Sequence, residues 1–456
     1  MSTRQTSASD DFSTKVWTRG CPDRRRVATL PRARSIAMPR HRIAFGNNKG
    51  GSGKTFMAFQ VACEAARARP ESSVVVIDFS LYSDLSALML GGSAREGIGA
   101  PMRGLQTCVD ATDEDLRAEG LVRALERAAQ AREAKGRGGG SSGGGQPRGS
   151  VFGTWFARGG KVSEPETEVN ILEFAIRPNE FNPEIPKNVY LVAGAGTCSW
   201  GEETTAMTDA NDVQLWARTG DEWIGAGKVF SDAVDALPKE VDAVFVDTDH
   251  LSACVLTKLA FAAMDAIVIP LSYNDMDFNR LFADITKNAL ITDVLREMHE
   301  RGQLRALVKK FMFTRVGSTA NTPSVTNGGI SSPFTPTKTS SAQMDDMARQ
   351  IWTVCDQPVY KSLFTDVSEL ESSGNAVQAF SQKYFGMFKL VPELASLIST
   401  MNGIPVCGMT SKTYTAANGL SGSTGAAVLN SLKAEISAST QSILDERYNA
   451  PISASS

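Results

Sequence analysis

Residues Lys49-Gly50-Gly51-Ser52-Gly53-Lys54-Thr55 constrain this chain more than any other stretch. They lie between an apolar run, Ile43-Ala44-Phe45, and a helical pattern that opens at Phe56. A strand, a glycine-rich turn and a helix N-terminus in that order make a phosphate-binding loop. Glycines let backbone N–H groups converge on phosphate oxygens without a Cβ in the way. The helix end adds unsatisfied donors and the positive pole of its dipole. In such a loop Lys54 reaches the β- and γ-phosphates and the Thr55 hydroxyl ligates Mg²⁺. One feature departs from the usual spacing. The glycine expected five residues before Gly53 is Asn48, and a second lysine, Lys49, heads the loop.

The pattern around the loop predicts the fold class. Residues 56–69 read as a helix with Met57, Val61, Ala62, Ala65 and Ala66 on one buried face, stopped by Pro70. Val74-Val75-Val76-Ile77-Asp78 reads as a buried parallel strand ending in an acid. Further strands are expected at 189–193, 241–247, 266–270 and 311–314, with helical patterns between several of them. That alternation predicts an α/β domain over residues 41–400, with a doubly wound, mostly parallel sheet flanked by helices.

Four segments interrupt or flank it. Residues 1–40 are polar and locally basic, with Arg24-Arg25-Arg26, Arg32, Arg34 and Arg40, and hold no apolar stretch of the secretory kind. They read as a disordered tail. The Arg and Ser content leaves an organelle transit peptide, such as a plastid one, open as the alternative, against which stand Asp10, Asp11 and Asp23. Residues 92–165 read as an insertion, in which a helix bearing Leu116, Leu121, Val122 and Leu125 runs into a glycine-rich linker at 136–145. Residues 318–341 read as a mobile surface loop. Residues 401–456 read as a polar tail whose Val428, Leu432, Ile436 and Ile443 line a short helix. A weakly packed terminal helix is the plain reading. Membrane docking is the alternative, with only Lys433 and Arg447 to supply a basic face.

Composition narrows the chemistry. A net charge of −3 over 456 residues is not that of a polycation, so any contact with nucleic acid has to come from a local patch. Arg305 with Lys309 and Lys310 makes one such cluster and the N-terminal arginines another. The seven cysteines show no C-x-x-C pair, which reads as reduced thiols and not as a zinc site or disulfide framework. No apolar run reaches the ~18 residues of a membrane-spanning helix.

A carboxylate at the tip of a strand beside the loop completes a nucleotide site by holding the Mg²⁺ shell. Val244-Phe245-Val246-Asp247 has that shape. Asp249 and His250 extend it and read as polar residues facing solvent or a partner, with a catalytic pair as the second reading.

Lys-Gly-Gly-Ser-Gly-Lys-Thr closely resembles the deviant Walker A loop of the ParA/MinD ATPases, and Asp247 with the later Ala-Ile-Val-Ile-Pro is similar to their Walker B block. The resemblance spans residues 42–400, apart from the two interruptions, and fades beyond Phe313. It implies ATP and Mg²⁺ as cofactors and an ATP-dependent homodimer in which Lys49 crosses to the partner's phosphates. It implies Lys49 to Phe56 (Gly50, Gly51, Ser52, Gly53, Lys54 and Thr55 included) as nucleotide contacts, with Arg315 near the base. It gives Lys49, Lys54 and Asp78 catalytic roles and makes Thr55 and Asp247 the metal residues.

The family's acidic strand end, Asp-x-Asp-Pro-Gln, is here Asp78-Phe79-Ser80-Leu81-Tyr82. Ser80 therefore stands where the water-activating acid is expected, which implies slow hydrolysis. The function implied is ParA-like partition or positioning of DNA or another large cargo in the cytoplasm, aided by an activating partner protein. The alternatives are a nucleotide-binding scaffold with little ATPase activity and a MinD-like membrane-associated ATPase. Iron–sulfur carriers of this class use paired cysteines, which the chain lacks.

Overall fold

A computed structural model describes residues 40–138, 166–194, 221–250, 254–283, 288–415 and 421–444, apart from residues 81, 96, 98, 99, 222, 366, 368, 369, 371 and 372. The N-terminal arginines before Arg40, the glycine run from residue 139 onward and Arg447 lie outside the described residues.

An eight-stranded sheet forms the centre. Its strands are β1 (His41–Phe45), β2 (Ser73–Phe79), β3 (Ala175–Ile176), β4 (Val189–Val192), β5 (Val241–Thr248), β6 (Ala266–Leu271), β7 (Leu307–Val316) and β8 (Phe385–Lys389). Their order across the sheet is β8-β7-β6-β1-β5-β2-β4-β3, and every pairing is parallel except β3 with β4. The sequence alternation predicts this doubly wound class, and the structure has it. The chain turns back on itself across β1, which sits between β5 and β6. In open α/β sheets the ligand crevice lies at such a reversal, outside the carboxyl ends of the strands. The glycine-rich loop leaves β1 at that end.

Period-two alternation divides the core between the two faces of the sheet. Ala44, Val75, Ile77, Val244 and Val246 join one cluster, and Ile43, Phe45, Val74, Val76 and Phe245 join the other. The first face is covered by α3 (Ala118–Gly138), α4 (Trp223–Asp235) and α5 (Val255–Ala263). The second carries α1 (Lys54–Ala68), α2 (Asp84–Met89) and the helix at 426–444. Helices on both faces leave the strands no solvated side, which is why they read as unbroken apolar runs.

Three segments differ from their sequence expectation. The helix at 118–138 buries Leu121, Val122 and Leu125 against the first face, so it covers the sheet as part of the domain. Residues 318–336 form two small antiparallel pairs, 318–320 with 335–336 and 324–325 with 331–332, over buried Ile330 and Phe334. Two aromatic or aliphatic anchors stabilise a segment whose polar composition alone suggests a mobile loop.

The helix at 426–444 buries Leu429, Leu432, Ile436, Ile443 and Leu444 on the second face, while Val428 is exposed. Its apolar stripe is spent on the core. Lys389 of β8 pairs with its buried Glu435 at 2.8 Å. No helix among the described residues is long and apolar enough to cross a membrane.

Candidate functional site

The loop is held open by its glycines and tied down by its neighbours. Gly51 and Gly53 adopt left-handed backbone, at φ 73° and 91°. Any side chain at Gly53 would be strained there, and its Cβ would also press on Thr314 Cγ2 at 3.4 Å. Gly53 is the residue before α1, and no side chain caps that helix. Its first N–H groups are therefore left for an anion. The Thr314 hydroxyl lies 3.0 Å from the Ser52 carbonyl oxygen and 3.3 Å from that of Leu271, joining the loop to the ends of β6 and β7. Asn47 donates to the Pro270 carbonyl at 2.6 Å and accepts from Lys49 N–H at 3.1 Å. Asn48, which stands in place of the usual glycine, is buried and donates to the Asn288 carbonyl. The departure in sequence thus supplies an anchor.

Two acids occupy one row of the sheet with opposite environments. In register, Asp247 faces Phe45 on one side and Asp78 on the other. Asp78 is fully buried and saturated. Its Oδ1 accepts from Ser80 N–H at 3.0 Å and Ser80 Oγ at 2.5 Å, and its Oδ2 from Ser86 N–H at 2.8 Å and Ser86 Oγ at 2.7 Å. Burial nonetheless pushes its carboxyl above the usual range. Asp78 pins the turn between β2 and α2, a positioning task, and has no lone pair spare for chemistry.

Asp247 is equally buried, yet neither oxygen makes a hydrogen bond of ordinary geometry. Burial lifts its carboxyl well above the usual range and Asp78 adds to the rise, while the Thr55 hydroxyl and the Lys54 ammonium are near enough to act against it. Lys54 is itself buried and donates to the Lys49 carbonyl at 3.2 Å. Desolvation lowers its pKa, and Asp247 and Asp249 oppose that shift. An unsatisfied buried carboxylate beside a hydroxyl and the phosphate loop fits a hydrated divalent cation. Thr55 and Asp247 would hold it.

The sign of the Asp247 shift makes a prediction. The folded chain keeps this proton to higher pH than the unfolded chain. Its contribution to stability is greatest below the ordinary carboxylate value, falls as pH rises from there to the lifted value, and is gone above it. Asp247→Asn removes that slope. It should stabilise the nucleotide-free protein in a thermal melt at about pH 8 by ~0.5–2 kcal/mol. The same variant should lose the gain in nucleotide affinity that Mg²⁺ gives the wild type.

Lys49 lies back on its own chain. Its ammonium stands 2.9 Å from Asp277 Oδ2, 3.3 Å from Ser272 Oγ and 3.4 Å from Asn274 Oδ1. Asp277 belongs to α6 (Asp275–Phe282), is fully buried, and leaves its other oxygen without a partner. Sequence reading missed Asp277. The signal available was a helix start, since Asn274 accepts from Asp277 N–H as its N-cap, and that spacing says nothing of Lys49.

The remaining expected residues fall at the margins. Phe56 is half-buried and packs edge-on against Phe388 at 6.4 Å between centroids. Arg315 is exposed, on left-handed backbone at φ 60°. Asp249, expected to face solvent or a partner, is buried instead and holds His250. Two residues of the internal basic cluster are engaged within the fold. Arg305 pairs with Asp265 at 2.7 Å, and Lys310 donates to the Lys383 carbonyl at 2.9 Å.

No protein-family model matches the chain, and no curated protein matches it either. Solved structures do resemble it in fold, and they are ParA- and MinD-type ATPases. The ParA of pNOB8 is 12% identical with a TM-score of 0.47, covering 90% of this chain and 98% of that one. A plasmid partition protein from Borrelia burgdorferi is 11% identical with a TM-score of 0.36, over 78% and 91% of the two chains. The cell division ATPase MinD of Pyrococcus furiosus is 12% identical with a TM-score of 0.36, over 87% and 98%.

Proposed function

We propose that this chain binds Mg-ATP at the glycine-rich loop and acts as a ParA-like ATPase that dimerises around the nucleotide to position a large cargo. One observation carries the reading. A fully buried Asp247 with no hydrogen bond of ordinary geometry stands by Thr55 and a buried Lys54 at the mouth of an uncapped helix. Such a carboxylate costs stability in the free protein, and a cation bound with a triphosphate relieves that cost. Lys54 would bind the β- and γ-phosphates and the loop N–H groups would cradle them. When bound, the metal ion supplies charge to the phosphates.

Dimerisation is the reading for Lys49. A second lysine at the head of the loop adds little to binding within one chain that already has Lys54, and in the free chain its charge is spent on Asp277. Tyr82, in the turn after β2, and Met276, in the first turn of α6, are large apolar side chains 55% and 71% exposed, and a second copy would cover them. Light scattering with Mg-ATP, ADP and no nucleotide tests this. The mass should double with ATP alone, and a monomer in all three conditions contradicts it.

A slow enzyme, or a nucleotide-dependent scaffold, is the second reading. It is favoured by Ser80, whose hydroxyl is taken up by Asp78. Replacing it with aspartate would set one carboxylate against another, so that substitution is no clean restoration of activity. DNA as cargo, an activating partner and a cytoplasmic location rest on the sequence resemblance. Of the internal cluster that suggested DNA, Arg305 is paired with Asp265 and Lys310 is turned onto a backbone carbonyl. A MinD-like membrane helix loses its support, because the apolar stripe at 426–444 packs inward.

A further inference from the structure

Beyond Asp247, the tip of β5 carries a carboxylate and an imidazole held together. Asp249 is buried, and its Oδ1 stands 2.5 Å from His250 Nδ1, while about half of the His250 side chain remains exposed. Asp249 is close enough to act electrostatically on the Lys54 ammonium and on Asp84 at the start of α2. The pair directly follows the C-terminal end of β5, between β1, which runs into the loop, and β2, so it lies at the edge of the sheet where the phosphates of a nucleotide on Lys54 would sit. A carboxylate on Nδ1–H fixes the ring and its tautomer, leaving the Nε2 lone pair as an acceptor. Neither residue at the tip of β2 is free for this task. Ser80 donates to Asp78, and Asp78 is saturated.

We propose that His250, positioned by Asp249, orients the water that attacks the γ-phosphate. The inference rests on the nucleotide reading of the loop. Nε2 accepts a hydrogen bond from the water and turns its oxygen lone pair toward phosphorus. The new P–O bond forms as the bridge to the β-phosphate breaks, and that electron pair leaves on ADP. Both protons of the water finish on inorganic phosphate, so the protein retains none and the imidazole acts by orientation. Water placement is the main task left to side chains in phosphoryl transfer.

The test uses the full chain with Mg-ATP, measuring steady-state phosphate release beside titration with a fluorescent ATP analogue. His250→Ala should lower kcat by ~10²-fold, with KM and analogue affinity unchanged. His250→Gln should recover most of that loss, because an amide oxygen also accepts from water. Asp249→Asn should fall between them. Equal turnover in wild type and His250→Ala overturns the proposal, as does a glutamine variant no better than alanine. A wild type that binds ATP and releases no phosphate also overturns it and leaves the binding site standing. A wild type that binds no ATP removes the nucleotide reading itself, which is a separate result.

Discussion

Lys54→Ala should weaken ATP binding by about 10²–10³-fold, taking ~3–4 kcal/mol as the loss when one member of a desolvated, hydrogen-bonded charge pair is removed. The magnitude follows from burial. Lys54 is 7% exposed, so its field reaches the phosphates with little screening by water or salt. The ammonium is already desolvated in the free protein, so that cost does not recur on binding. The substitution also removes a nearby cation acting against the rise of the Asp247 carboxyl. Asp247 should then stay protonated to higher pH and lose its grip on the metal. Titration with a fluorescent ATP analogue, with and without Mg²⁺, reads both effects. An affinity within about threefold of wild type would remove Lys54 from the site.

The second large effect concerns Lys49 and Asp277. Lys49→Ala should destabilise the free protein by ~3 kcal/mol, near the low end for breaking a buried ion pair because Ser272 still donates to Asp277. The same substitution should abolish the ATP-dependent dimer, and the two losses must be separated. Asp277→Asn removes the buried charge and frees the lysine, so the dimer should form at lower protein concentration. The double variant Lys49→Ala with Asp277→Asn should regain most of the lost stability and still fail to dimerise. Thermal melts report the first quantity and light scattering with ATP the second. Dimerisation of the double variant at wild-type strength would show that Lys49 is needed only for the fold.

The loop was legible because its requirements are local: glycines at left-handed positions, a strand before and a helix after. Asp247 was legible as an acid at a strand tip. Its missing hydrogen bonds were not, since they depend on what Phe45 and Asp78 bring from neighbouring strands. Asp78 shows the reverse. As a letter it matches Asp247, yet Ser80 and Ser86 close round it and make it a pin for the turn. Polarity misled at 318–341 and at Asp249, because buried anchors and a neighbouring imidazole override composition.

By itself the sequence determined a phosphate loop on a parallel sheet, because φ-positive glycines and unbroken apolar strands are properties of neighbouring residues. Tertiary structure alone decided which acid is free, where Lys49 rests and which face takes the helix at 426–444. Those outcomes depend on contacts between residues far apart in sequence, 228 positions in the case of Lys49 and Asp277, and no local pattern encodes such a distance.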